Sequence, residues 1–281
     1  MPLTTRNLRE REHHIVDGVG APEAEVYRSG EKAADVPIIS HQELLKISIA
    51  EDNTSFVSGN TFSKQVLLGD EALNSGKDPG EPRDIIWLVR EEVATKLALA
   101  AGYIWAKKPW LCLKLCEGYR PMNIQQERFD EKIKFLKSGN RTFSSNEELQ
   151  EAAHQLTAIP ELAGHPTGGA VDVTIFDTKL CKNLDMGTVI YDFSDPIKLS
   201  WEAKNLLAEQ KSNRLLLLDA MLQAGFAPYW GEWWHYSFGE IEWAAYYKYK
   251  KTFYSQLSVT EVLARRKSGI QKNSSRLWRG D

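Results

Sequence analysis

Apolar residues fall into short runs and periodic stretches separated by turn-rich segments. Ile86, Val89, Val93, Leu97 and Ala100 lie at helical spacing, with Gly102 after them as a stop, so residues 85–101 predict an amphipathic helix. Gly76, Pro79, Gly80 and Pro82 just before it mark a loop. Residues 110–115 form a short apolar run between Pro109 and Gly118, which fits a buried strand better than a helix and leaves Tyr119, Arg120 and Pro121 at its exit. A second helix is expected over 124–136, then a polar stretch over 138–146 and a short helix ending before Pro160. After the glycine-rich turn at 164–169, residues 170–176 alternate as a strand, with 189–193 as its expected neighbour. Ser212 or Asn213 can cap a helix through Leu215, Leu218 and Leu222 to a stop at Gly225. Residues 226–238 then read as an aromatic strand, and a last helix over 241–256 precedes a basic tail. Helices and strands mixed without a βαβ rhythm predict an α+β fold.

A chain of 281 residues with 42% hydrophobic composition can bury the core of one large domain with decoration. Its 35 basic and 38 acidic side chains give a formal net charge of -3, too even a balance for a nucleic-acid or membrane-surface protein. The start, with Arg6, Arg9, Glu10, Arg11 and Glu12, lacks the apolar stretch of a signal peptide. No window approaches the roughly 18 apolar residues of a membrane span. Cys112, Cys116 and Cys181 have neither the even count of a disulfide framework nor zinc-finger spacing. Together these features predict a soluble protein of the reducing cytoplasm.

Candidate chemistry rests on few residues. The histidines are His13, His14, His41, His154, His165 and His235. His165 precedes Asp172 across a turn into a strand, and His235 follows Glu232 closely. Two imidazoles and one carboxylate suffice to hold zinc with a place left for water. Glu232 and His235 pose a geometric difficulty, because residues three apart on an ideal strand face opposite sides unless a bulge or strong twist intervenes. The other histidines lack a comparable context.

Three separated blocks carry a resemblance to a known family. Ala163, His165, Gly168, Ala170 and Asp172 follow the pattern S-x-H-x-x-G-x-A-x-D, Glu232, Trp234 and His235 follow E-x-W-H, and Gly118, Tyr119, Arg120 and Pro121 form G-Y-R-P. In order and spacing, over about 53–249, the chain resembles the VanX-like D-alanyl-D-alanine dipeptidases, zinc enzymes related to the D-alanyl-D-alanine carboxypeptidases. The resemblance implies a small antiparallel sheet with helices around it and one Zn²⁺ on His165, Asp172 and His235. It also implies Glu232 as general base and Arg120 beside the scissile carbonyl, with Asp192 as the best match for the acidic residue that holds the substrate's ammonium, in competition with Asp185 and Asp195. Ala163 replaces the motif serine, and Glu117 stands where Asp is common. An N-terminal extension of about 40 residues and the basic tail after Leu257 lie outside the resemblance, and a solvated end is the expectation for that tail.

The implied reaction is hydrolysis of D-alanyl-D-alanine to free D-Ala, with a small dipeptide as partner and neither nucleic acid nor membrane involved. A D,D- or L,D-carboxypeptidase acting on peptidoglycan stem peptides would share the metal site. A zinc-binding interaction module, like the Hedgehog signalling domain, would need neither Glu232 nor Arg120. The basic and aromatic run 246–251 fits an amphipathic helix surface better than a binding patch.

Overall fold

Strand β1 is Ser48–Ile49, β2 Phe56–Ser58, β3 Val66–Leu68, β4 Leu88–Arg90, β5 Leu111–Glu117, β6 Ala170–Asp177, β7 Lys182–Asn183, β8 Ala227–Pro228, β9 His235–Ser237 and β10 Lys251–Thr252. The computed structural model describes residues 39–267 except 77, 78, 81, 140, 141, 155, 194–198, 201 and 202. The N-terminal extension, His13, His14, Asp195 and the tail cations Lys272, Arg276 and Arg279 lie outside the described residues.

The largest sheet runs β3, β5, β6, β9, β8, with β7 also paired to β6. β3 joins β5 in parallel and every other pair in this sheet is antiparallel. The α+β expectation holds, with one parallel edge. β2 pairs with β4, and β1 with β10, as separate ribbons. Strand β6 is buried on both faces, and the period of two divides their work. Val171, Val173 and Ile175 enter the core, where they meet Val93, Leu97 and Ile104 of helix Glu91–Lys107 and Leu217 and Met221 of helix Ala208–Gln223. Each such side chain contributes about 1.5–3 kcal/mol on burial. Asp172 lies on the opposite face.

Several elements differ from the sequence pattern for identifiable reasons. Residues 85–90 are a 3₁₀ turn, Arg83–Trp87, followed by β4, and the helix begins at Glu91. Ile86 and Val89 suit a helix or a short buried strand equally, and pairing with β2 decides. The helix also passes Gly102 and ends at Lys107. Residues 226–238 are a hairpin, not one strand: Pro228 cannot donate to a ladder, and the Trp233 N–H goes to the Leu199 carbonyl at 2.9 Å. Residues 189–193 turn instead of pairing, with Tyr191 at φ 67, outside the strand region. Helix Ala208–Gln223 starts earlier than Ser212, because the Gln210 side chain accepts the Leu207 N–H at 2.9 Å. The last predicted helix stops at Tyr246, and the chain passes Lys248, at φ 61, into β10. Beyond Leu257 the chain is tied down: Ser258 and Glu261 form a capping box on helix Val259–Ala264. Arg265, Arg266 and Lys267 then pair with Glu51, Asp84 and Glu91.

One buried cation braces the segment that will matter for chemistry. Arg90 lies between Phe56 and Tyr254, with its guanidinium 4.9 and 4.7 Å from their ring centroids. Its Nε donates to the Thr167 carbonyl at 2.8 Å and its Nη1 to Glu51 at 2.7 Å. The backbone N–H of Arg90 reaches the Gly168 carbonyl at 3.0 Å. The turn after His165 is thereby fastened to β4.

Gly102 gives a direct test of the helix. A Cβ at this position would meet nothing within 4 Å, and alanine loses less backbone entropy than glycine in a helix. Gly102→Ala should therefore stabilise the protein by about 0.5–1 kcal/mol in urea denaturation. A loss of stability would mean that the helix does not continue through residue 102.

Candidate metal centre

The site begins with a fault in a ladder. Leu115 and Glu117 would face the same side of an undisturbed strand. The register of β5 against β6 shifts between them, so that Leu115 stays opposite Val173 while Glu117 comes opposite Asp172. Asp172 in turn lies opposite His235 on β9. The bulge thus brings Glu117, Asp172 and His235 level on three neighbouring strands.

His165 arrives from the 3₁₀ turn His165–Thr167, which ends at Gly168 with φ 71. A side chain at 168 would be strained by that φ and would strike the Phe56 ring, 2.3 Å from an ideal Cβ. His165 Nδ1 lies 2.7 Å from the Gly118 carbonyl. A carbonyl only accepts, so Nδ1 carries the proton and Nε2 the lone pair of the neutral ring. Nε2 is buried without a hydrogen-bond partner, 3.4 Å from Asp172 Oδ1. Burial, reinforced by the charge of Arg120, pushes the His165 pKa down to about 4, which keeps the ring neutral at pH 7.

His235 behaves in the opposite way. Its Nδ1 sits 2.9 Å from the same Asp172 oxygen. Burial works to lower its pKa, but the hydrogen bond and charge of Asp172, aided by Glu242 and Glu232, outweigh burial and raise it to about 9. One ligand atom from each of His165, Asp172 and His235 lies within 4.8 Å of the others. Two imidazoles, one carboxylate and an orphaned buried Nε2 are a donor set that fits zinc.

The first block's neighbours complete the cleft. Arg120 Nε and Nη2 grip Glu117 at 2.7 and 2.8 Å, and Nη1 donates to Gln125 Oε1 at 2.7 Å. Arg120 therefore has the carboxylate partner that an unspecialised arginine would take, yet buried, with Nη2 also 3.9 Å from Asp172. Glu232 is on the loop before β9, and its carbonyl accepts the His235 N–H at 3.2 Å. Because Glu232 is not on the strand, the three-residue spacing poses no obstacle, and both side chains line one cavity of about 420 Å³. Arg120, His165 and Tyr191 line it too. Asp192 does not, although its neighbours Tyr191 and Phe193 do. Asp185 caps the Gly187 turn and binds Gln210 instead.

Sequence reasoning missed Gln125, Arg128, Tyr229 and Glu242 on the cavity wall. Gln125 and Arg128 were open to a helical-face argument from Arg120. Glu242 needed the fold, since its Oε2 comes 3.8 Å from His235 Nε2 only where helix Ile241–Tyr246 folds back.

A family model described as D-ala-D-ala dipeptidase, Peptidase M15, matches residues 76–256, more than half of the chain. The chain belongs to this peptidase family. The D-alanyl-D-alanine dipeptidase of Synechocystis sp. is 28% identical over 151 residues, covering 47% of this chain and 61% of its own length. That of Streptomyces coelicolor is 35% identical over 78 residues, covering 28% and 38%. The chain thus spans less than two thirds of either relative. A vancomycin-resistance D,D-pentapeptidase VanY solved in complex with Zn(II) shares 20% identity over 63% of this chain and 84% of its own, with a TM-score of 0.34. In this M15 chain the matched residues enclose Arg120, His165, Asp172, Glu232 and His235.

The contrast between the histidines is measurable. A metal taken up by this donor set would have to displace the proton of His235, whose pKa is raised to about 9, whereas His165, pushed down to about 4, is already neutral. Zinc loading at pH 7 should release about one proton per site, and affinity should rise about tenfold per pH unit up to about pH 9, then level off. Titration calorimetry in buffers of different ionisation enthalpy checks this; no proton release would remove His235 from the ligand set or leave it neutral beforehand.

Proposed function

We propose that this M15 chain is a zinc peptidase that hydrolyses D-alanyl-D-alanine to free D-Ala in the cytoplasm, with one zinc held by His165, Asp172 and His235. The observation that carries the reading is the orphaned, neutral His165 Nε2 beside the Asp172 and His235 donors, with Glu232 on the wall of the same cavity. When bound, zinc polarises a peptide carbonyl and makes water acidic enough to lose a proton near neutral pH. Glu232 accepts that proton and returns it to the leaving amine. Its backbone bond to His235 keeps base and ligand in step. Arg120, its fork aligned by Glu117 and Gln125, holds positive charge where the carbonyl oxygen becomes negative.

For the substrate ammonium, the resemblance offers Asp192 and the cavity wall offers Glu242. Burial first, then the charge of Glu240, raises the Glu242 pKa to about 8, and an arriving ammonium would favour its ionised form. The extent of the cavity along helix Met122–Ser138, out to Lys132, favours a second reading in which a longer stem peptide is trimmed by carboxypeptidase action.

Two sets of measurements test the proposal. His165→Ala should lose most of its zinc, whereas Glu232→Ala should keep zinc and fold while losing at least about 10²-fold in turnover. Tight stoichiometric zinc in the first variant, or normal turnover in the second, would sink the respective assignment. D-Ala-D-Ala should be cut faster than N-acetyl-D-Ala-D-Ala by about 10- to 150-fold, the worth of one charge-assisted hydrogen bond. Asp192→Asn or Glu242→Gln should erase that preference, whichever carboxylate holds the amine. Equal rates on both substrates, or faster release of D-Ala from a stem peptide, would favour the carboxypeptidase reading.

A further inference from the structure

The cavity contains a second arginine that the reaction above leaves unused. Arg128 lines the cavity with Arg120 and His165. It lies three residues beyond Gln125 on helix Met122–Ser138, so the two side chains share a face of that helix. Gln125 spends its amide on Arg120 and on the Ala158 carbonyl, the latter at 2.9 Å. Arg120 spends its fork on Glu117. Arg128, half-buried, makes neither a hydrogen bond nor an ion pair among the described residues. The acidic groups whose charge it feels, Glu117 and Asp172, are already engaged by Arg120 and His235. Burial and the like charge of Arg120 both disfavour its cation. One turn further along, Lys132 is also occupied, its Nζ 4.7 Å from the centre of the Phe193 ring.

We infer that Arg128 is the anion-recognition residue of this cleft and that it binds the terminal carboxylate of the peptide substrate. The inference rests on the peptidase reading for the identity of its ligand. A guanidinium offers parallel N–H donors that match a carboxylate, and a partly desolvated cation beside a second cation gains most from an incoming negative charge. The C-terminal carboxylate is the one anionic group of a D-Ala-D-Ala dipeptide. Placed on Arg128, it leaves the remaining N–H donors of Arg120 to the carbonyl under attack, so recognition and catalysis draw on different cations. Arg128 is thus a specificity-determining residue, separate from Glu232 and the metal ligands.

The test pairs a residue with the group it is said to touch. Binding of N-acetyl-D-alanine and of its C-terminal amide to the zinc-loaded full chain is measured by calorimetry, for wild type, Arg128→Ala and Arg128→Lys. Zinc content and circular dichroism report on metal loading and fold. Wild type should prefer the acid by about 10- to 150-fold. Arg128→Ala should abolish that preference, and Arg128→Lys, which keeps the charge but not the fork, should retain part of it. An acid preference that is absent in wild type, or undiminished in folded Arg128→Ala, overturns the proposal. Turnover of D-Ala-D-Ala is read separately. An Arg128-dependent acid preference without turnover would sink the dipeptidase reading and leave the anion site standing; turnover with a preference indifferent to Arg128 would do the reverse.

Discussion

A buried carboxylate at Asp172 is the constraint around which the rest is arranged. An ionised carboxylate with almost no exposure is costly unless matched by positive charge and hydrogen bonds. Asp172 has His235 at 2.9 Å, His165 at 3.4 Å and Arg120 at 3.9 Å. With His235 protonated, the negative charges of Asp172 and Glu117 equal the positive charges of His235 and Arg120. The His235 proton therefore neutralises the site, and exchanging it for a divalent metal ion on the same donors would leave a centre with net positive charge. That is the condition for polarising a carbonyl.

Glu117 looks like a second burden on the same site, yet it organises the first. Its carboxylate fixes both coordinates of the Arg120 fork, and the β5 bulge sets its height opposite Asp172. The basic charge of the cleft is thereby divided, with Arg120 held close to Asp172 and Arg128 left on the helix wall.

Parts remote from the reaction serve position. Arg90 joins the carbonyl of Thr167, the carboxylate of Glu51 and two aromatic faces, so the turn that presents His165 is pinned to β4 rather than hanging from the sheet. Burial alone would raise the Glu51 pKa, but its bonds to Arg90 and Ser255 hold it at about 2. The Glu51 carboxylate therefore stays ionised well below neutral pH. The carbonyl of Gly118 completes the orientation of His165, and a side chain at 118 would strike the Leu88 carbonyl, 2.6 Å from an ideal Cβ.

That His165, Asp172, His235, Glu232 and Arg120 belong to one candidate site was legible in the sequence, as were the α+β class and most of the long elements. These depend on residue types at short spacing and on periodic burial, both local properties of the chain. Boundaries failed where a local pattern fitted two structures, as at Ile86 and Val89, or where aromatic residues served the walls of a loop and not a strand, as at Trp233. Only the tertiary structure decided that the bulge in β5 lifts Glu117 to Asp172, that Gly118 sets the tautomer of His165, and that Arg120 is paired while Arg128, among the described residues, is not. Each of these turns on distances between groups brought together by strand register and helix packing, and in a buried site an ångström of register determines which charge meets which.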